Sequence, residues 1–495
     1  MNYFEMLLGI LLFLISFVVF WYIYEDKNGL PTNWAFVGML PAVLKNIHRF
    51  HPFCIEIMQK TNLTFEFKGP WFGNMNILGT LDPANVHYVF TQNFTNYPKG
   101  QKFRDNFDYL GDGIFNADFE DWEYHRNIIL NYVRHPNFHQ FFVKKTWDKL
   151  KNGLIPVFDH AYKHDIQFDL QHMFSRFVFD VECSIFMDHD PKTLSMDLPK
   201  TPVNDSLNEI SEAVFYRHVL PGFIWKFQRW VCIGQEKKFK KAKKVLDDFI
   251  YDCIFNLKKD YKCVKMEENE VSVDLLALYM KEKKGDKFVR DAILTIFLAG
   301  RDGIIITLSW LFYLLSINPQ VIVKIKKELD NANPINWEDH NEVNSKLVYL
   351  HASIYETLRL YSPIAFEAKN PLKQDILPSG HHVGPNTQII FNLYAMGRMK
   401  SIWGDDCNDF KPERWISEKG VFRYQPSYKF FVFNAGPRTC MGREMALTQI
   451  KLVAATIIQN YVIAPVEGQH IVPDSNNILL VMKNGFKVKI YPSLQ

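Results

Sequence analysis

Hydrophobic positions along this chain fall into three patterns, and each predicts a different kind of element. Met6 to Tyr24 is an uncharged run of 19 residues, long enough to cross the hydrocarbon core of a bilayer as a helix. Glu5 precedes it and Lys27, Lys45 and Arg49 follow, a basic bias that keeps the body of the protein cytosolic. The run ends in Phe20-Trp21-Tyr22 rather than small residues, which favours an uncleaved anchor over a signal peptide. Behind it, the prolines of Leu30 to Pro41 predict a stiff hinge. Alternation at Leu63 to Phe67 and Met75 to Leu78, split by Gly69-Pro70 and Gly73, predicts an early hairpin. Ile478 to Met482 and Phe486 to Tyr491 around Asn484-Gly485 predict a late one. Most of the remaining chain has helical spacing. The expected architecture is therefore mainly α with a small β region: an anchor over 1–25, a hinge over 26–50 and one large domain over 51–495.

Ala292 to Leu315 is apolar on nearly every face except at Arg301 and Asp302. Two ionisable groups in a lipid-facing helix would cost about 2.5–3.5 kcal/mol each. A long helix buried through the protein is the better reading.

Composition narrows the function. Hydrophobic residues make up 47% and aromatic residues 15%, with 42 Phe, which suits a large core and a greasy ligand pocket. A net charge of +3 argues against a nucleic-acid partner. Seven scattered cysteines with no Cys-x-x-Cys pair suit a reducing compartment without a zinc site. The lysines between Lys237 and Lys244 read as a solvated helix face, with a membrane-surface or redox-partner patch as the alternative.

The most specific chemistry lies at Cys440. Two general readings are a buried structural thiol and a nucleophile paired with one of 16 histidines. Phe433-x-x-Gly436-x-Arg438-x-Cys440-x-Gly442, however, resembles the haem-binding loop of the cytochrome P450 family. There the thiolate ligates the iron and favours O–O cleavage. The resemblance implies Cys440 as metal ligand and Arg438 near a haem propionate. It makes Gly436 a turn where a side chain would strike the porphyrin. Helix N–H groups after Cys440 are expected to stabilise the sulfur's charge.

Other motifs follow in the family's order. Trp122 and Arg126 match Trp-x-x-x-Arg, which reaches a propionate. Glu356 and Arg359 share a helix face, and with Arg414 of Pro412-Glu413-Arg414-Trp415 they match the family's buried structural network.

The pattern breaks in the central helix, Ala299-Gly300-Arg301-Asp302-Gly303-Ile304. In the family, hydroxyl residues occupy the positions of Gly303 and Ile304, the first holding water for oxygen activation. Thr307 lies one turn on, about 5.4 Å, and could serve through a longer water chain. Asp302 is either a proton source or a partner of Arg301. The outcomes left open are weakly coupled monooxygenation, proton delivery by substrate or water, an oxygen-independent isomerase or dehydratase, and an inactive haem-binding paralogue.

The resemblance spans essentially the whole chain. It is similar to the plant branch that oxidises long aliphatic chains, on its alkane-hydroxylase side, through Asn62 to Phe65, Asn96 to Gly100, Phe391 to Met399 and Phe433 to Cys440. This implies hydroxylation of a very-long-chain alkane or fatty acid in wax or cuticle metabolism. The implied cofactor is haem b, with NADPH electrons arriving through NADPH-cytochrome P450 reductase. The implied location is the endoplasmic reticulum membrane, with a single-pass anchor. Family position puts Phe115, Phe297, Leu298 and Ala299 in the substrate pocket, and Ile364, Ala365, Phe366 and Ile478 opposite them.

Overall fold

A computed structural model describes residues 29–263, 275–282 and 284–493. The expected anchor lies outside the described residues. The expectation of a mainly helical body with small sheets holds. Its axis is the helix Asp286–Ile317, the central helix, which starts after Gly285 and stops at Asn318 before Pro319. It is buried along most of its length by neighbouring helices, as anticipated from its two interior charges.

Leu170–Phe186 packs along the central helix. Its start is fixed by Asp169, whose carboxylate accepts from the backbone N–H of Gln171 at 2.9 Å. Farther along, Trp310 lies flat on Tyr361, with ring centroids 3.7 Å apart, and donates to the carbonyl of Leu480 at 2.7 Å. A buried aromatic with its N–H satisfied ties the central helix to the C-terminal segment.

The early hairpin is present. β1 (Thr64–Lys68) pairs antiparallel with β2 (Asn76–Thr80), Thr64 opposite Thr80. The four-stranded sheet runs β1-β2-β7-β4, where β4 is Phe366–Lys369 and β7 is Thr387–Asn392. β5 (Asp375–Ile376) and β6 (His382–Val383) form a small ribbon.

The late hairpin is corrected. Gly485 does turn the chain with φ +69°, but its flanks do not pair with each other. β9 (Lys487–Pro492) pairs instead with β8 (Tyr461–Pro465) and with β3 (Phe168–Asp169). Residues 478–482 are held by isolated contacts, Ile364 with Leu479 and Pro473 with Met482, while the N–H of Leu480 donates to Pro363. Their backbone groups are committed to the cavity wall, so no strand forms.

In the segment read as a hinge, Leu40–Lys45 is helical, and Leu40, Val43 and Phe50 border the main cavity. Lys237, Lys238, Lys240, Lys241 and Lys244 lie exposed on the helix Gly234–Cys263, a solvated face as expected.

Candidate active site

Cys440 sits in a loop between Phe433 and the helix Arg443–Asn460. The loop turns through Asn434 at φ +62° and Gly436 at φ +62°, and closes when the N–H of Cys440 donates to the carbonyl of Phe433 at 2.8 Å. A β-carbon on Gly436 would come within 1.8 Å of the carbonyl oxygen of Phe90. The glycine is therefore required by the protein's own backbone, not only by a cofactor.

The Cys440 side chain opens onto a cavity of about 1040 Å³, at the upper end of ligand sites. Burial raises the thiol's pKa. The backbone N–H groups of Gly442 and Arg443 and the charges of Arg443 and Arg126 oppose that shift. The expected helix-start donors are thus in place, yet burial outweighs them in the protein alone. A bound iron would supply the charge that favours the thiolate of Cys440.

Three predicted residues converge beside the loop. The guanidinium of Arg438 lies 4.9 Å from the Trp122 ring centre, and that of Arg126 lies 5.5 Å from it. Arg126 donates to the carbonyl of Thr439 at 3.2 Å, while Arg438 donates to Asp118 at 2.7 Å and to the carbonyl of Ala117 at 2.9 Å. Phe433 borders the cavity with them.

Sequence reasoning missed Lys369, in β4. Its side chain is fully buried, its ammonium has no hydrogen-bond partner, and the Phe90 ring lies 4.9 Å away. Burial, and then the nearby positive charge of Arg438, lower its pKa to about 7. Nε of Arg438 is likewise buried without a partner. Arg438 borders the cysteine-floored cavity, and its unpartnered Nε fits an anionic group there, as haem carboxylates provide; Lys369 is not among the residues that line the cavity. The residues present therefore fit haem. A lone lysine in an apolar strand carries no sequence signal until its burial is known.

The structural network assembles as expected. Arg359 donates to both oxygens of Glu356 at 2.8 Å, with both side chains fully buried. Arg414 reaches Glu356 at 3.4 Å and Trp415 donates to it at 2.9 Å.

On the central helix, Asp302 is ion-paired with Arg301, which also donates to Ser175 at 3.0 Å and Asn204 at 2.9 Å. Of its two expected roles, the geometry supplies the pairing. Burial raises the Asp302 pKa against the pull of Arg301. The Thr307 hydroxyl donates to the carbonyl of Gly303 at 2.6 Å, so its proton is committed to its own helix.

Of the pocket residues, Phe115, Leu298, Ala299, Ile364, Phe366 and Ile478 border the cavity. Phe297 and Ala365 do not. Phe297 turns into the core against Phe179, and Ala365 is fully buried at the edge of the sheet. Neighbours in sequence lie on different faces of a helix or strand, so adjacency to a pocket residue is not membership.

Comparison with known proteins gives one consistent answer. The family described as Cytochrome P450 matches residues 29–490. The alkane hydroxylase MAH1 of Arabidopsis thaliana is 40% identical over 489 residues, 97% of each chain. Noroxomaritidine synthase 1 of Narcissus pseudonarcissus is 41% identical over 478 residues, covering 94% of this chain and 92% of that protein. Cytochrome P450 86B1 of Arabidopsis thaliana is 36% identical over 506 residues, covering 98% and 89%.

Proposed function

Because the chain belongs to the cytochrome P450 family, haem-binding monooxygenases fed with NADPH electrons by a reductase, we propose that it hydroxylates a long, uncharged aliphatic chain. The observation that carries this reading is the apolar cavity onto which Cys440 opens, bordered by Phe115, Leu298, Ile364 and Ile478. When bound, haem supplies the activation of dioxygen and the insertion of one oxygen atom into a C–H bond.

The chain's own residues hold and shape the site. Cys440 is the ligand, its loop braced by the Phe433 carbonyl and by the Glu356–Arg359–Arg414 network. Trp122, Arg126 and Arg438, which border the cavity, would hold the haem carboxylates with charge-assisted bonds. The apolar walls exclude water and align the chain, with little power to measure its length, since a methylene is worth only about 1–3 kcal/mol.

Relatives of similar identity carry unlike names, an alkane hydroxylase and a noroxomaritidine synthase, so identity alone does not select the substrate. The cavity lining supports the first. The uncharged run Met6 to Tyr24 supports a single-pass anchor in the endoplasmic reticulum membrane, with residues 51–495 as the cytosolic catalytic domain and NADPH-cytochrome P450 reductase as partner.

A second reading has its own observation: Gly303 offers no hydroxyl, which favours an enzyme that loses reducing equivalents as peroxide. Purified protein with reductase, NADPH and a very-long-chain alkane separates the two. Alcohol in proportion to NADPH consumed supports the hydroxylase, peroxide without alcohol supports the second reading, and neither product from haem-loaded protein refutes both.

A further inference from the structure

Glu182 lies in Leu170–Phe186 and is fully buried, yet neither carboxyl oxygen has a hydrogen-bond partner. It borders the same cavity as Cys440. A β-carbon on Gly300 would come within 2.3 Å of its Oε2, so the carboxyl rests against the bare backbone of the central helix. One turn on, a β-carbon on Gly303 would meet nothing within 4 Å, which leaves space for water beside it.

Gln449 on Arg443–Asn460 is the polar side chain that faces Glu182; a weak hydrogen bond from it opposes the effect of burial, and neither group has a partner in good geometry. Charged neighbours are otherwise committed. Asp180, on the same helix, is held by Lys149 at 3.1 Å, and Arg301, on the central helix, pairs with Asp302. Cys183 is buried beside it as a thiol raised well above its ordinary pKa. A carboxylate with no cation and only a weak contact from Gln449 is strongly disfavoured in such a place. Burial pushes Glu182 up to about 8, so it carries a proton at neutral pH.

We propose that Glu182 is a proton-relay residue, passing its proton through water in the open space beside Gly303 and replacing the hydroxyl that position 303 lacks. This rests on the monooxygenase reading above. Over one turnover, a C–H bond, dioxygen, two electrons from NADPH and two protons give a C–OH group and water. Glu182 gives up one proton to the water chain and regains one from it, ending as it began.

The test uses the haem-loaded full chain. Infrared difference spectroscopy across pH 6 to 9 is expected to show a protonated-carboxyl band at neutral pH that fades near pH 8, shifts in D2O and is missing from Glu182→Gln. In turnover with reductase and an alkane, Glu182→Gln is expected to lower product per NADPH about tenfold and raise peroxide. The substrate-induced haem spectral change should stay intact, and Glu182→Asp should recover part of the coupling. An ionised Glu182 at pH 7, or unchanged coupling in Glu182→Gln, overturns the relay while leaving the hydroxylase standing. A wild-type protein that forms no alcohol overturns both, even with the infrared band present. If Glu182→Gln does not fold, the wild-type band decides: present at pH 7 it supports the relay, absent it refutes it.

Discussion

The hydroxyl of Thr307 donates to the carbonyl of Gly303 across 2.6 Å, closing one turn of the central helix on itself. The nearest hydroxyl to the missing one is therefore occupied. Thr307→Val is expected to change product per NADPH by less than about twofold, because no free donor is lost. Gly303→Thr should raise it, since a β-carbon there meets nothing within 4 Å and a helix accepts Thr more readily than Gly, by a few tenths of a kcal/mol. Unchanged coupling in Gly303→Thr contradicts the idea that this hydroxyl limits the reaction.

Removing the carboxylate of Glu356 strands a fully buried Arg359 and leaves the Trp415 N–H without its acceptor. Loss of one partner from a buried pair costs about 3–5 kcal/mol. Denaturant unfolding of Glu356→Ala should show a loss of that size together with reduced haem content. A loss below about 1 kcal/mol contradicts a structural role.

Lys369 ties stability to pH. Its folded pKa lies near 7, against an ordinary 10.5, so between these values the unfolded chain binds more protons than the folded one. Its penalty on the haem-free protein is thus full below pH 7 and fades as pH rises toward 10.5. Lys369→Met should be more stable than wild type at pH 7, with the difference shrinking by pH 10. A difference independent of pH refutes this.

Gly436→Ala places a β-carbon 1.8 Å from the Phe90 carbonyl at a backbone angle that side chains rarely adopt. The Cys440 loop must shift to accept it. Haem incorporation, read as absorbance relative to protein, is expected to fall severalfold, and full occupancy contradicts the strain.

Glu356 with Arg359, the early hairpin and the buried central helix were legible from local spacing, while the Cys440 loop and Trp122 with Arg126 were legible through their resemblance to the family's motifs. What escaped depended on distant partners. The turn at Asn484-Gly485 is real, but residues 478–482 are bound to Pro363, Ile364 and Trp310, contacts no local pattern announces. Phe297 and Leu298 look alike in an apolar run, and only packing against Phe179 separates core from cavity. Glu182 and Lys369 read as ordinary polar residues until three-dimensional burial leaves both without hydrogen-bond partners.

The central claim, that Cys440 presents a thiolate to haem iron in this cavity, is met most directly by the carbon monoxide difference spectrum of the reduced, purified protein. Wild type and Cys54→Ser, which alters the other cysteine bordering the cavity among the described residues, should both show the red-shifted Soret band of a thiolate-ligated haem, and Cys440→Ala should lose it. A band that survives in Cys440→Ala, or is absent from haem-loaded wild type, contradicts the account.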